Sequence, residues 1–180
     1  ITEVQKIPFV KIGVSSRHIH LSKEDLEILF GNGYELHPIK GLQPGQYASE
    51  ETVNIIGKKG TINKVRILGP TRKETQLEVS ITDGFALGVS VPINESGDLT
   101  GAASLIIENP KTGKRIERNC GIVALRHIHL STEFANKFAL KDKQLVSVEV
   151  DGERSLIFNR VLIRVSDNFE TEMHIDTDEA

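Results

Sequence analysis

The chain has 180 residues, 38% of them hydrophobic and 26% charged, with a formal net charge of −3. This is the balance of a folded globular chain, one domain or two small ones sharing a core, and it excludes a disordered chain. The weak negative charge argues against nucleic acid as a bulk partner, and no apolar run approaches the roughly 20 residues that cross a bilayer. Residues 1–6 are polar and lack the apolar core of a signal peptide, so no secretory leader is expected. The single cysteine, Cys120, excludes an intramolecular disulfide, fits the cytoplasm, and reads as a small buried apolar side chain beside Ile122 and Val123.

In chain order, residues 9–14 have strand character and lead into Arg17-His18-Ile19-His20-Leu21. Ser22 then caps a short helix, with Asp25 placed as in a capping box and Leu26, Leu29 and Phe30 on one face. Gly31-Asn32-Gly33 ends that helix. Residues 52–56 and 61–68 read as a hairpin around Gly57-Lys58-Lys59-Gly60, closed by Gly69-Pro70. Residues 75–81 alternate, with Gln76, Glu78 and Ser80 on one face and Leu77, Val79 and Ile81 on the other, and predict a strand. Residues 105–108 supply another strand, with a turn over 109–113.

The segment 121–125 then leads into Arg126-His127-Ile128-His129-Leu130, and Ser131 caps a second helix carrying Phe134 and Phe138. Residues 144–150 and 155–165 form a hairpin around Asp151-Gly152. Short strands with only two short helices predict small closed barrels. An eight-fold β/α barrel of about 250 residues does not fit in this length.

Four of the six histidines thus fall in two His-x-His pairs, offset by 109 residues (127 − 18). On a strand, residues i and i+2 share a face, so each pair offers two imidazoles to one point. Imidazole is the commonest protein ligand for zinc and related metals. A lone pair of this kind is often accidental, but here it recurs with its flanking arginine and following Leu-Ser, which points to a metal centre built from duplicated halves. Four imidazoles would fill one closed, structural zinc site. His174, in a strand-like stretch near the C-terminus, and Glu78 suggest instead two ions with open positions. Taken alone, Glu78 reads as a solvated strand residue, His174 equally as ligand or bystander, and His37 as a bystander. Arg17, Arg72 and Arg126 offer planar guanidinium groups suited to phosphate; spacing leaves Arg72 open between phosphate ligand and loop charge, and Lys73 reads as solvated.

The segments 13–22, 42–46, 67–72 and 76–83, together with Met173-His174-Ile175-Asp176-Thr177-Asp178-Glu179-Ala180, resemble the propanediol-utilisation type phosphotransacylases, the phosphate propanoyltransferase family. The resemblance runs from about residue 8 to the end. It implies a mainly β fold of two small six-stranded antiparallel barrels with a swapped N-terminal strand and short capping helices. One barrel would comprise residues 7–16 and 125–180, the other 17–124, with the metal site at their interface. It implies an acyltransferase that converts acyl-CoA (propanoyl-CoA, with acetyl-CoA as the alternative) and phosphate into acyl phosphate and CoA.

Two Zn2+ per subunit follow from the resemblance, one on His18 and His20, the other on His127, His129 and His174, with Glu78 linking them. Arg72 would meet phosphate, and Gln43, Pro44 and Gly45 would line the CoA channel. The same likeness implies a homodimer in the bacterial cytoplasm, working with core enzymes of a bacterial microcompartment, with no nucleic acid and no membrane partner. Encapsulated members carry an amphipathic leader helix, and residues 1–8 contain none. Two further readings use the same ligands: a dinuclear zinc hydrolase with water as nucleophile, and a non-catalytic zinc-stabilised barrel module.

Overall fold

The structure, a computed structural model, describes residues 9–180. The readings of residues 1–6 and 1–8, and the expected barrel boundary at residue 7, lie outside the described residues. The strands are β1 (Ile12–Val14), β2 (His18–His20), β3 (Pro38–Gly41), β4 (Tyr47–Ile56), β5 (Thr61–Gly69), β6 (Gln76–Glu78), β7 (Ile93–Asn94), β8 (Ala103–Glu108), β9 (Arg115–Ala124), β10 (His127–Leu130), β11 (Leu145–Val150), β12 (Leu156–Val165) and β13 (Glu172–Ile175). The helices are α1 (Lys23–Phe30), α2 (Ile81–Leu87) and α3 (Thr132–Lys137). They divide between two compact units. The larger comprises Ser16–Leu125 and Asp176–Ala180; the smaller combines Arg126–Ile175 with the segment ending at Ser15.

The larger unit is a closed six-stranded barrel. Its strands run β4-β5-β2-β6-β9, and β8 pairs with both β4 and β9 to close the circle. Alternate residues fill the interior, among them Ile19, Val53, Ile55, Ile67, Leu77 and Ile107, all fully buried. Asp176–Ala180, expected with the C-terminal half, belongs to this unit, where the Asp178 carboxylate accepts the Thr82 amide at 2.9 Å.

The smaller unit holds a five-stranded sheet in the order β11-β12-β10-β13-β1. Its core is Ile128, Leu130, Val161, Ile163, Met173 and Ile175 with Ala135 and Phe158. Five strands of the barrel, in the order β4-β5-β2-β6-β9, repeat it in pairing sense: antiparallel, parallel, antiparallel, parallel. The duplication seen in the His-x-His motif therefore extends to sheet topology. Among the described residues no sixth strand closes the smaller sheet, where a second six-stranded barrel was expected.

Three expectations need correction. The barrel is mixed, not antiparallel: β2 runs parallel to β5 and β6 parallel to β9. Parallel neighbours require long crossovers, and here residues 21–60 separate β2 from β5 while residues 79–114, carrying α2, β7 and β8, separate β6 from β9. The described residues hold three helices rather than two. The alternating run 75–81 is a strand only over Gln76–Glu78; Ser80 opens α2 with a reciprocal capping box to Asp83, and Gly88 closes it in a left-handed conformation at φ 73°. Ser-x-x-Asp is itself a helix-start signal, and it overrides the alternation that had placed Ile81 on a sheet face.

Candidate functional site

In the larger unit, β2 lies between β5 and β6. Ile19 enters the barrel core while His18 and His20 share the opposite face, and all three are buried. The antiparallel register sets Glu78 directly opposite His18 and Gln76 opposite His20. Opposed residues on one face come within side-chain reach, and one ligand atom from each of His18, His20 and Glu78 lies within 4.8 Å of the others. His18 Nδ1–H donates to the Ser16 carbonyl at 2.9 Å. That bond orients the ring and turns Nε2 toward Glu78 Oε2, 3.5 Å away. The other Glu78 oxygen is held by two donors, Gln76 Nε2 at 2.7 Å and Ser96 Oγ at 2.8 Å. Gln76 is held in turn by the Gly97 amide at 2.7 Å. Sequence reasoning missed Ser96; its only trace was Gln76 on the Glu78 face.

The smaller unit repeats this plan. On β10, His127 and His129 share a face while Ile128 and Leu130 enter the core. The antiparallel register with β13 sets His174 opposite His127 and Glu172 opposite His129. One nitrogen from each of His127, His129 and His174 lies within 4.8 Å of the others. The His129 ring stacks on Phe169 at 4.2 Å, and His174 Nε2 meets Glu172 Oε2 at 3.0 Å.

The arginines separate by role. Arg17 donates to both Asp83 oxygens at 3.0 Å, one through Nε and one through Nη2, a two-point pair that secures the α2 cap. Arg126 donates through Nε and Nη2 to the Asn159 carbonyl at 2.9 and 2.6 Å. Arg72 sits beside the first histidine group: its amide donates to Leu21 O at 2.9 Å, and its charge acts on His20. Burial first, then the Arg72 and His18 charges, push His20 down to about 3 against the pull of Glu78, so its ring is neutral at pH 7, the form that binds metal.

Gln43, Pro44 and Gly45 occupy a tight turn between β3 and β4, where the Gln46 amide donates to Gln43 O at 2.8 Å and Gly45 takes the φ of 76° that glycine tolerates. His37 is engaged by Glu51 and belongs to neither histidine group. Cys120 is buried and its thiol is pushed up to about 12, chiefly by that burial.

The residues present fit a metal. His20 Nδ1 is buried with no hydrogen-bond partner among the described residues, a state that costs free energy unless something accepts its lone pair or proton. Imidazole and carboxylate are the donor set of zinc, and three protein ligands leave an open position for substrate.

A small mainly β protein with two strand-borne ligand groups, each capable of holding a divalent ion, is the class that fold and site define. The phosphate propanoyltransferase family pattern matches residues 11–180. A phosphate propanoyltransferase of Thermotoga maritima is 54% identical over 179 residues, covering 98% of this chain and 85% of that protein. The Clostridioides difficile protein of the same name is 50% identical over 181 residues, 100% of this chain and 86% of its own length. One from Rhodopseudomonas palustris is 50% identical over 175 residues, covering 96% and 77%. The chain belongs to the phosphate propanoyltransferase family and is a transferase of the phosphotransacylase type.

Proposed function

We propose that this chain is a zinc-dependent phosphate propanoyltransferase that converts propanoyl-CoA and phosphate into propanoyl phosphate and CoA. The observation that carries it is the Arg72 charge set beside the His18, His20 and Glu78 group in a chain of this family. Arg72 holds phosphate through two parallel N–H···O bonds, and that restraint supplies the proximity a weak nucleophile needs. A phosphate oxygen then forms a bond to the thioester carbonyl carbon; the carbon–sulfur bond breaks and its electron pair leaves on the CoA thiolate. When bound, zinc supplies Lewis-acid polarisation and positive charge for the developing oxyanion.

His18 and His20 with Glu78 hold one ion, and His127 and His129 with His174 the other. The Gln43-Pro44-Gly45 turn lines the path for CoA. The pairing of β1 with β13 and of β9 with β6 supports a reciprocal strand swap, since each precedes the His-x-His motif of the other unit. A homodimer, use of acetyl-CoA, and service within a bacterial microcompartment complete the proposal on family resemblance.

The test is release of CoA thiol from propanoyl-CoA with and without phosphate. Release should depend on phosphate, with propanoyl phosphate formed in equal amount. Equal rates without phosphate would mean that water is the nucleophile and the chain a hydrolase.

A further inference from the structure

Asp25, in the first turn of α1, is 3% exposed, yet its carboxylate serves two distant segments. Arg118 Nη2 donates to Oδ1 at 2.6 Å, and Arg118 Nε reaches Oδ1 and Oδ2 at 3.1 and 3.2 Å. Thr75 Oγ1–H donates to Oδ2 at 2.5 Å. The same Thr75 oxygen accepts the Ser22 amide at 2.9 Å. Three residues before Thr75, Arg72 pairs with Ser22 in a parallel bridge and donates its amide to Leu21 O at 2.9 Å. Residues 72 and 75 are thus each tied to the segment that follows His20, with Lys73 and Glu74 exposed between them.

Capping α1 requires none of this. Ser22 Oγ already accepts the Asp25 amide at 3.1 Å. In a capping box the acid would turn back to the Ser22 amide; here Thr75 takes that amide and the acid reaches across to β9. A buried carboxylate is costly unless a cation and further donors satisfy it, and Arg118 and Thr75 supply both. Thr75 belongs to the loop that carries Arg72, so this carboxylate ties that loop to α1 and β9.

We infer that Asp25, Thr75 and Arg118 form a positioning network that sets the Arg72 loop against the His18–His20 strand and so fixes where phosphate is held. The inference rests on the phosphate-holding role proposed for Arg72. None of the three residues belongs to a metal group, and their bonds lead to Arg72 through Thr75 and Ser22.

The experiment compares Thr75→Val, Thr75→Ser and Arg118→Lys in the zinc-loaded protein. Thr75→Val keeps the side-chain shape and removes the hydroxyl. It should raise the KM for phosphate by about tenfold, well inside the loss that a displaced reacting group can cause. The KM for propanoyl-CoA and the zinc content should stay within about twofold, as expected if only the phosphate-holding group has shifted. Thr75→Ser, which keeps the hydroxyl, should restore the wild-type value, and Arg118→Lys, which loses the planar two-point pair, should fall between.

An unchanged phosphate KM in Thr75→Val, or a serine variant as impaired as the valine one, would overturn the inference. If Thr75→Val does not fold, Arg118→Lys decides by the same criterion. Hydrogen exchange at the Arg72 amide separates this inference from the functional reading. It should quicken in Thr75→Val, and unchanged exchange would refute the network even where phosphate dependence holds. A wild type indifferent to phosphate refutes the reaction class instead.

Discussion

Glu51 shows how single residues divide the histidines of this chain between structure and chemistry. Its carboxylate is buried and would be pushed up by that burial, but donors outweigh it. His37 Nδ1 lies 2.6 Å from Oε1, the His37 amide 3.2 Å from Oε2, and the Tyr34 hydroxyl donates at 3.0 Å, so Glu51 stays below its ordinary range. In return, the hydrogen bond and charge of Glu51, with Glu50 and Glu35 adding to it, raise His37 above its usual 6.5. A raised histidine contributes stability that is fully present below its unfolded pKa and lost as pH rises through the folded one. The His37–Glu51 contribution should therefore be complete below about pH 6.5 for as long as Glu51 stays ionised, fading above that as His37 deprotonates and in acid as Glu51 is protonated. Titration of the His37 ring by NMR should give a midpoint above 6.5 in the wild type, returning toward 6.5 in Glu51→Gln. A wild-type midpoint at or below 6.5 would refute the coupling. His20 is the opposite case: burial and Arg72 keep it neutral and available.

Among the elements, the hairpin of β4 and β5 and the helix α2 are fitted to one another at a point where only glycine has room. A Cβ on Gly57 would collide with the Leu87 carbonyl oxygen, and with its carbon and Cβ at 2.8 Å. The hairpin tip is fixed there by Lys59 N–H donating to Leu87 O at 3.0 Å, so the backbone cannot simply retreat. Gly57→Ala should cost about 1–3 kcal/mol by overpacking and lower Tm by several degrees, at about 2–4 °C per kcal/mol for a chain of this size. Gly41→Ala has no atom within 4 Å of the new Cβ and should leave Tm nearly unchanged. Equal melting of the two variants would show that the turn gives way.

The same elements mark what can be read from sequence. The β4–β5 and β11–β12 hairpins were legible, because turn glycines and alternating apolar residues are local signals: the strands fall at Tyr47–Ile56 with Thr61–Gly69, and at Leu145–Val150 with Leu156–Val165. Parallel pairing of β2 with β5 left no such mark, since its partners stand far apart in the chain and neither flanking turn encodes the register. The helix α2 was hidden differently: Gln76 to Ile81 alternates like a strand, and only the Ser80–Asp83 cap distinguishes the point of change. Within the site, the strand rule correctly placed each His-x-His on one face. It could not say that Glu78 and His174 stand at equivalent positions opposite His18 and His127, because that equivalence arises from antiparallel registers.

At the scale of the whole molecule, the two units repeat one arrangement with a change of third ligand, and this gives each its own capacity for metal. His18, His20 and Glu78 all lie within Ser16–Leu125, and His127, His129 and His174 all lie within Arg126–Ile175. Each group rests on strands whose apolar faces belong to a separate core, so losing an imidazole from one leaves the other core and its ligands intact. The zinc-replete wild type should contain about two ions per chain, as expected for two groups of three protein ligands. His20→Ala and His129→Ala should each lose about one, and the double variant both. Because an ion that binds only the folded form stabilises it by mass action, about 2.7 kcal/mol at a free concentration a hundred times Kd, chelation should also lower Tm in the wild type and more weakly in either single variant. Metal analysis of the purified proteins with melting curves in chelator decides this without reference to activity. A single equivalent in the wild type that vanishes with either substitution would sink the two-group assignment, whereas losses that follow each unit separately would make the duplicated sheet a duplicated metal site.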